Sequence, residues 1–487
     1  MVNKVVEMFT KGDEKTNQAV IEFPVGLEQR VDGIKSRILT DMQRSDTSLQ
    51  CFGILGMGGA GKTTITKSIY NGMHMHFEKS CFCLNTRANF EKGVIDVQNK
   101  ILRGVLGNEG TEINDEETGK TFLESKLKGI NALIVLDDVD SGEQLDALYH
   151  PICSSLGQKS VIIMSSRDRR VLESVQPNDI FEIKGFNNRE HSERLFSWHA
   201  FLKPEPPAHL LQVSSRIIDA CQGLPLSLKV MGAYLYGHND ESYWNESLLL
   251  LQQNKTDIFK TLRISLKDLE AKEMEVFLDI CCFLIGEKEG TACSVLEGCY
   301  GLGRTYLEVL KNRCLITISD IGIIEVHDQI RDMGRRIVRE EKRDRPWDEE
   351  TAENILKDEK ARSTLRGLSI SSDFSFPKEA TKCRSLPHLK ILVVKQVDDR
   401  ELIRDEGIWG MFRTKKFLEK VRCKELRCLK WRRAPFGDVP LGICPKSLRV
   451  LDLVGSEIKR VPIGSLPNLQ MFPQSRGGVW QATGHYK

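Results

Sequence analysis

The segment Gly56-Met57-Gly58-Gly59-Ala60-Gly61-Lys62-Thr63 constrains this chain more than any other. It has the form G-x-x-x-x-G-K-[ST], a loop that cradles phosphate between a strand and a helix. Its flanks fit. The apolar run Cys51 to Leu55 precedes it, and a helical pattern through Ile65, Ile69 and Met73 follows. Glycines let successive backbone N–H groups converge on phosphate oxygens without interference from Cβ. The N-terminus of the following helix adds partial positive charge at the same point. Lys62 is expected to reach the β- and γ-phosphates and Thr63 to hold Mg2+. Gly56, Gly58, Gly59, Ala60, Gly61 and Thr64 complete the cradle. The competing reading, a glycine-rich turn without a ligand, is disfavoured by the strand and helix on either side.

Ala132-Leu133-Ile134-Val135-Leu136-Asp137-Asp138 is five apolar residues followed by two acids. That pattern predicts a parallel strand buried on both faces. Its end delivers Asp137 to the Mg2+ shell and puts Asp138 where it can polarise a water. A further strand, Val161 to Met164, ends in Ser165-Ser166-Arg167, so Arg167 is expected near the γ-phosphate. Strand ends line the ligand crevice in open α/β sheets. With Cys81 to Leu84 and Phe181 to Ile183 the strand count reaches five, and the block reads as a doubly wound parallel sheet.

Bulk properties exclude several classes. The chain has 487 residues, enough for two to four domains, with 40% hydrophobic and 28% charged residues. A net charge of +2 gives no global field for nucleic acid or anionic membrane. No apolar run approaches the roughly 20 residues of a membrane span. The N-terminus lacks the apolar core of a secretory signal. Fourteen scattered cysteines, several inside apolar runs, suit small buried hydrophobes in a reducing compartment. Cys293 with Cys299, or Cys423 with Cys428, could be argued as metal ligands, but buried free thiols are the preferred reading.

Taken in order, LIVLDDVD at 133–140, IIMSSRD at 162–168, GLPLSL at 223–228, FLDICCFLIG at 277–286 and VHD at 326–328 follow the phosphate loop. This series resembles the NB-ARC module of plant nucleotide-binding leucine-rich-repeat immune receptors. It covers roughly residues 20 to 345. Asp140, the FLDICCF segment and residues 181–201 are similar to the subclass that carries an N-terminal TIR domain. The resemblance implies an α/β P-loop NTPase of the STAND type, followed by helical and winged-helix domains and a leucine-rich-repeat solenoid. It implies that ADP or ATP is bound with Mg2+. Val25 and Gly26 are expected to line the adenine side, Pro225 to pack near the adenine, and His327, oriented by Asp328, to touch the ADP β-phosphate. The sequence departs from the family pattern at Val326, Ser227, Lys159 and Val161. None of these removes a phosphate ligand, so binding is the firmer expectation and catalysis through Asp137 and Asp138 at most a slow ATPase.

The domain reading is 1–20 linker remnant, 21–195 nucleotide-binding domain, 196–270 helical domain, 271–345 winged helix, 346–364 linker, 365–473 partial repeats and 474–487 tail. Leu210, Val213, Ile217, Ile218 and Cys221 share one helical face. Helical patterns cover 258–269 and 273–284. Leu315 to Ile318 and Ile323 to Val326 predict a hairpin. Arg331, Arg335, Arg336 and Arg339 follow it, but interleaved acids favour a solvated face over DNA binding. Leu448, Leu451, Leu453, Ser456 and Ile458 fit a leucine-rich repeat, matched 22 residues upstream by Leu426, Leu429, Trp431 and Phe436, with Leu466 and Leu469 beginning another. The short segment before Val25 implies no NAD-cleaving TIR activity from this chain.

The leading reading is a nucleotide-dependent switch of a plant immune receptor. It would be cytoplasmic or nucleocytoplasmic. Its partners would be other receptor chains, engaged through the nucleotide block, and a pathogen effector or guarded host protein, engaged through the repeats. A working enzyme would need a substrate-phosphate site that the sequence does not offer. A helper or decoy that binds ADP structurally is the third reading.

Overall fold

A computed structural model describes residues 25–44, 49–90, 93–107, 113, 115–253, 258–342, 344–395, 405–434, 439–454, 456, 460–461, 466–469 and 481–482. The linker assigned to 1–20 and the repeat positions Phe436 and Ile458 lie outside these residues, as does nearly all of the 474–487 tail. The chain forms two compact units, Met1–Gln253 and Asn254–Lys487.

The first unit is built on a five-stranded sheet in the order β2-β3-β4-β1-β5. The strands are β1 (Gln50–Leu55), β2 (Lys79–Cys83), β3 (Ala132–Leu136), β4 (Val161–Ser166) and β5 (Asp179–Glu182). All pairings are parallel. β1, β3 and β4 are buried along their whole length, which explains why they read as unbroken apolar runs. β2 and β5 begin two residues earlier than the apolar pattern suggests. Lys79, Ser80 and Asp179 are half-buried, so no hydrophobic signal marks them. The strand order reverses at β1 and β4, and this switch point lies at the phosphate loop.

The helices Arg189–Phe201, Leu211–Ala220, Pro225–Leu235 and Glu241–Gln253 complete this unit. Leu210, Val213, Ile217, Ile218 and Cys221 are all buried, as their spacing predicts. A boundary at Gln253 divides the stretch 196–270, which the sequence reading kept as one domain.

The second unit opens with the helices Ile258–Ile264 and Ala271–Asp279, the latter running into a wide helical turn at Ile280–Leu284. The pattern over 258–269 overran the helix, since 265–268 form a turn. Two more helices, Glu289–Tyr300 and Gly303–Asn312, lead to the antiparallel hairpin β6 (Thr317–Ile318) and β7 (Ile324–Glu325). Its strands are shorter than predicted because Leu315 and Ile316 are drawn into the core. The helix Asp328–Ile337 follows. Its arginines are held within the unit. Arg331 is paired with Asp332, Arg335 donates to the Cys281 carbonyl, Arg336 pairs with Glu340 and Arg339 with Asp348.

Residues 346–364, read as a linker, instead form the helices Glu349–Lys357 and Glu359–Thr364, and Ala352, Ile355 and Leu356 join a hydrophobic core with Leu368, Leu392, Leu429 and Leu451. That core lies against a parallel sheet in the sequential order β11-β10-β9-β8, namely β8 (Gly367–Ser371), β9 (Ile391–Lys395), β10 (Cys428–Trp431) and β11 (Val450–Asp452). Cys428 pairs with Val450, a step of 22 residues. Leu426, Leu429, Trp431, Leu448, Leu451, Leu453 and Leu466 are buried together. Ser456 accepts the Ala434 N–H at 2.7 Å and donates to the Trp431 carbonyl at 3.5 Å, tying one turn to the turn before it.

Candidate nucleotide-binding site

The phosphate loop leaves β1 at Gly56, whose N–H donates to the Ser166 carbonyl at 3.2 Å. A Cβ at Gly56 would lie 2.4 Å from the Ile183 carbonyl oxygen, so only glycine fits there. Gly59 (φ 80°) and Gly61 (φ 94°) adopt the left-handed conformation that turns the loop into the helix Lys62–Met73. This is a cradle that side chains would fill, with a helix N-terminus at its mouth.

Lys62 is 8% exposed. Its Nζ donates to the carbonyls of Gly56 at 2.7 Å and Met57 at 3.1 Å, which folds the ammonium into the loop's own concavity. Burial, together with the nearby Arg167, lowers its pKa to about 8 despite Asp138 and Asp137. A phosphate at this position would supply the counter-charge that burial demands.

Thr63 donates to Asp137 Oδ2 at 3.0 Å, and Ser165 donates to Asp137 Oδ1 at 2.6 Å. Asp137 is fully buried, and desolvation raises its pKa against these two hydrogen bonds. Its backbone is fixed on both sides, the N–H on the Cys83 carbonyl at 2.9 Å and the carbonyl on the Thr86 N–H at 2.7 Å. A hydroxyl and a carboxylate converging from the loop and from β3 are oxygen donors of the kind Mg2+ prefers. Among the described residues no cluster of three or more His, Cys, Asp or Glu has metal-binding geometry, and all fourteen cysteines are free thiols.

Asp138 takes a left-handed backbone (φ 59°), uncommon for a non-glycine residue. Its N–H donates to Ser165 Oγ at 2.9 Å. The sequence reading placed Asp138 to polarise a water. Its carboxylate lies between two guanidinium groups, Arg87 Nε at 3.2 Å and Arg167 Nε at 3.3 Å. Arg167 does sit at the end of β4, as expected. Arg87 is absent from the sequence reading. Its signal was weak, an arginine three residues beyond the apolar run of β2.

Pro225 lies against the loop. A Cβ on Gly61 would be 3.9 Å from Pro225 Cγ, and the Leu226 N–H donates to the Gly59 carbonyl at 3.3 Å. Gly223 (φ 67°) approaches Gly185 so closely that a Cβ on Gly185 would lie 2.7 Å from the Gly223 carbonyl oxygen, and the Phe186 N–H donates to that oxygen at 2.7 Å. Gly26 (φ 61°) faces His191, leaving no room for a Cβ. Arg30 donates to the carbonyls of Lys184 and Gly185 and stacks over Phe186. Contacts thus run from Gly26 through His191 and residues 184–186 to Gly223–Leu226 and on to the phosphate loop. Arg30, Phe186 and His191 were missed in the sequence because each is an ordinary polar or aromatic residue between motifs. Thr64 is half-buried at the loop's end.

His327 belongs to the second unit, where it caps the helix Asp328–Ile337. Its Nδ1 lies 3.2 Å from the Gln329 backbone nitrogen and 2.6 Å from Asp328 Oδ1. Unprotonated, Nδ1 accepts the Gln329 N–H. Protonated, it donates to Asp328. One nitrogen cannot do both, so the tautomer decides which contact is made. Asp328 is therefore placed to orient His327, as the resemblance implies.

The NB-ARC domain family matches residues 28–205, and the Roq1-like winged-helix domain of disease resistance proteins matches residues 270–342. Disease resistance protein RUN1 of Vitis rotundifolia is 32% identical over 464 residues, 91% of this chain and 34% of that protein. TMV resistance protein N of Nicotiana glutinosa is 31% identical over 398 residues, 78% of this chain and 34% of that protein. A solved signal transduction ATPase with numerous domains and a tetratricopeptide repeat sensor, from Pyrococcus horikoshii, aligns with 72% of this chain and 48% of its own at 16% identity and a TM-score of 0.41. The chain spans about a third of the length of the curated relatives it matches. Among the described residues no helix is long and apolar enough to cross a membrane. With a P-loop NTPase domain and a Roq1-like winged helix in the same order, and with resistance proteins aligned along most of its length, the chain belongs to the NB-ARC proteins of plant disease resistance.

Proposed function

We propose that this chain is the nucleotide-dependent switch of a plant immune receptor, exchanging ADP for ATP in defence signalling. The observation that carries the reading is the convergence of Lys62, Thr63, Asp137, Asp138 and Arg167 at the ends of β1, β3 and β4. Gly56 to Thr64 hold the phosphates, and Lys62 neutralises them. Thr63 and Asp137 would hold Mg2+, which when bound offsets phosphate charge. Val25, Gly26 and Pro225 form the base-side wall. The resemblance assigns sensing of the ADP state to His327 and Asp328. Hydrolysis is slow, because Asp138 is engaged by two arginines.

The sequential sheet β8 to β11 with its 22-residue step supports leucine-rich repeats, which would present a surface to an effector or a guarded host protein. Other receptor chains would assemble through the nucleotide block. The protein would work in the cytoplasm or between cytoplasm and nucleus.

The test is to purify the chain, denature it and identify the released nucleotide by chromatography. Stoichiometric ADP is expected, with Asp328→Val shifting occupancy towards ATP. Release of no adenine nucleotide, combined with no binding of added ADP and Mg2+ by calorimetry, would sink the reading.

A further inference from the structure

Asp138 is gripped from two sides by residues of different strand ends. Arg167 follows β4. Arg87 follows β2, and its Nε lies 3.2 Å from Asp138 Oδ2 and 3.7 Å from Asp140 Oδ2. The Arg87 backbone N–H also donates to the Asp138 carbonyl at 3.2 Å, and the neighbouring Thr86 N–H to the Asp137 carbonyl. The turn after β2 is thus stitched to the turn after β3 by backbone and side chain together. The side chains of Asp138, Arg87 and Arg167 are 12%, 17% and 25% exposed, so their charges are only partly solvated.

In such a setting, removing one partner of an ion pair leaves an uncompensated charge, which costs more than the pair itself contributes. Arg167 is the cation assigned above to sense a third phosphate. To reach that phosphate it must leave Asp138. Without another partner, Asp138 would then be a bare carboxylate beside an incoming phosphate.

We propose that Arg87 is a positioning residue for nucleotide discrimination: it keeps Asp138 neutralised when Arg167 moves to the third phosphate, and so makes the ATP-bound state accessible. The idea rests on the nucleotide-switch reading above and adds to it a residue that touches no nucleotide. Arg87 acts through Asp138. Its second carboxylate, Asp140, and its backbone bond hold it in place while Arg167 changes partner. ADP makes no demand on Arg167, so the ADP state does not need Arg87.

The test measures Kd for ADP and for a non-hydrolysable ATP analogue, both with Mg2+, on the full chain. Arg87→Gln should weaken the ATP analogue about tenfold and ADP less than about threefold, a tenfold change being about 1.4 kcal/mol. In an Asp138→Asn background the same Arg87→Gln change should alter the ratio of the two affinities less than about twofold, because no carboxylate is left to neutralise. A purely structural role for Arg87 would lower both affinities together and would do so in either background. Should Arg87→Gln fail to fold, Arg87→Lys carries the test. It keeps one charge without the guanidinium's reach to both acids, and about a threefold fall in the ratio is expected. An unchanged ratio in the folded variant overturns the proposal while leaving the switch reading intact. Failure of the parent chain to bind either nucleotide removes both.

Discussion

A cluster of buried charge in the first unit and one in the second are built in different ways. In the first unit Lys62, Arg87 and Arg167 meet Asp137, Asp138 and Asp140, three formal positive charges against three negative. In the second unit Arg345, fully buried, is bound by Glu275 at 2.5 Å, by Asp344 at 2.7 Å and by Asp279. Tyr300 donates to Asp279 at 2.5 Å, and Arg366 pairs with Glu275 at 2.9 Å. Here two positive charges face three negative, and every arm of the Arg345 guanidinium is used. The first cluster is balanced in charge and has an open glycine cradle beside it. The second joins residues from the FLDICCF segment, the helix Glu289–Tyr300 and the chain just before β8, and each arm of its central guanidinium meets a carboxylate. A cluster that borders an open phosphate cradle is suited to receive an anion. A cluster closed on itself is suited to hold a shape.

The largest effect should come from breaking the closed cluster. Arg345→Met leaves Asp279 and Glu275 buried without their main cation, and a loss of about 4 kcal/mol in the stability of the second unit is expected, measured by urea unfolding. A loss below about 1 kcal/mol would mean that the cluster is not the anchor it resembles. Lys62→Ala tests the open cluster. It should cut ADP affinity at least about 100-fold, close to 3 kcal/mol, with little change in stability, since Lys62 is a desolvated charge. If stability falls instead and binding survives, the roles of the two clusters have been confused.

A third group keeps acid sensitivity from being credited to the carboxylates. His199 in the helix Arg189–Phe201 has its pKa lowered to about 4, by burial first and by Lys229 second. The unfolded chain, with an ordinary value of 6.5, takes up the proton first. Stability is therefore full above the unfolded value and is lost as pH falls from 6.5 towards 4. Between about pH 7 and about pH 5 the first unit should lose about 2 kcal/mol, and His199→Gln should flatten that limb. A limb of the same depth in the variant would move the effect back to the carboxylates. The smallest effect belongs to the repeat sheet. Ser456→Ala leaves the buried Ala434 N–H without its acceptor and should cost about 1 kcal/mol by thermal unfolding.

The open cluster was largely legible in the sequence and the closed one was not. Gly56 to Thr63 and Leu133 to Asp138 are contiguous words, because a phosphate cradle and the end of a buried strand each need their residues in a row. Glu275, Asp279, Tyr300, Arg345 and Arg366 are spread over ninety-two positions, 275 to 366, with no spacing that marks them as partners. The same reason hid Arg87, Arg30 and His191. The supposed linker at 346–364 misled for a different reason. Its few apolar residues, Ala352, Ile355 and Leu356, fit a helix only once a sheet is there to cover them.

By itself the sequence determined what local chemistry dictates. It marked the parallel strands as apolar runs, the phosphate cradle by its glycines, the helical faces by their period, and the protein's kinship by the order of its motifs. Tertiary structure alone decided which charges meet. It set Asp138 between two arginines, sealed Arg345 among three carboxylates, and laid Pro225 against Gly61. Periodicity reports burial, which is a property of one segment facing its surroundings. Ion pairs and close backbone approaches depend on distance between segments, and that distance exists only once the chain has folded.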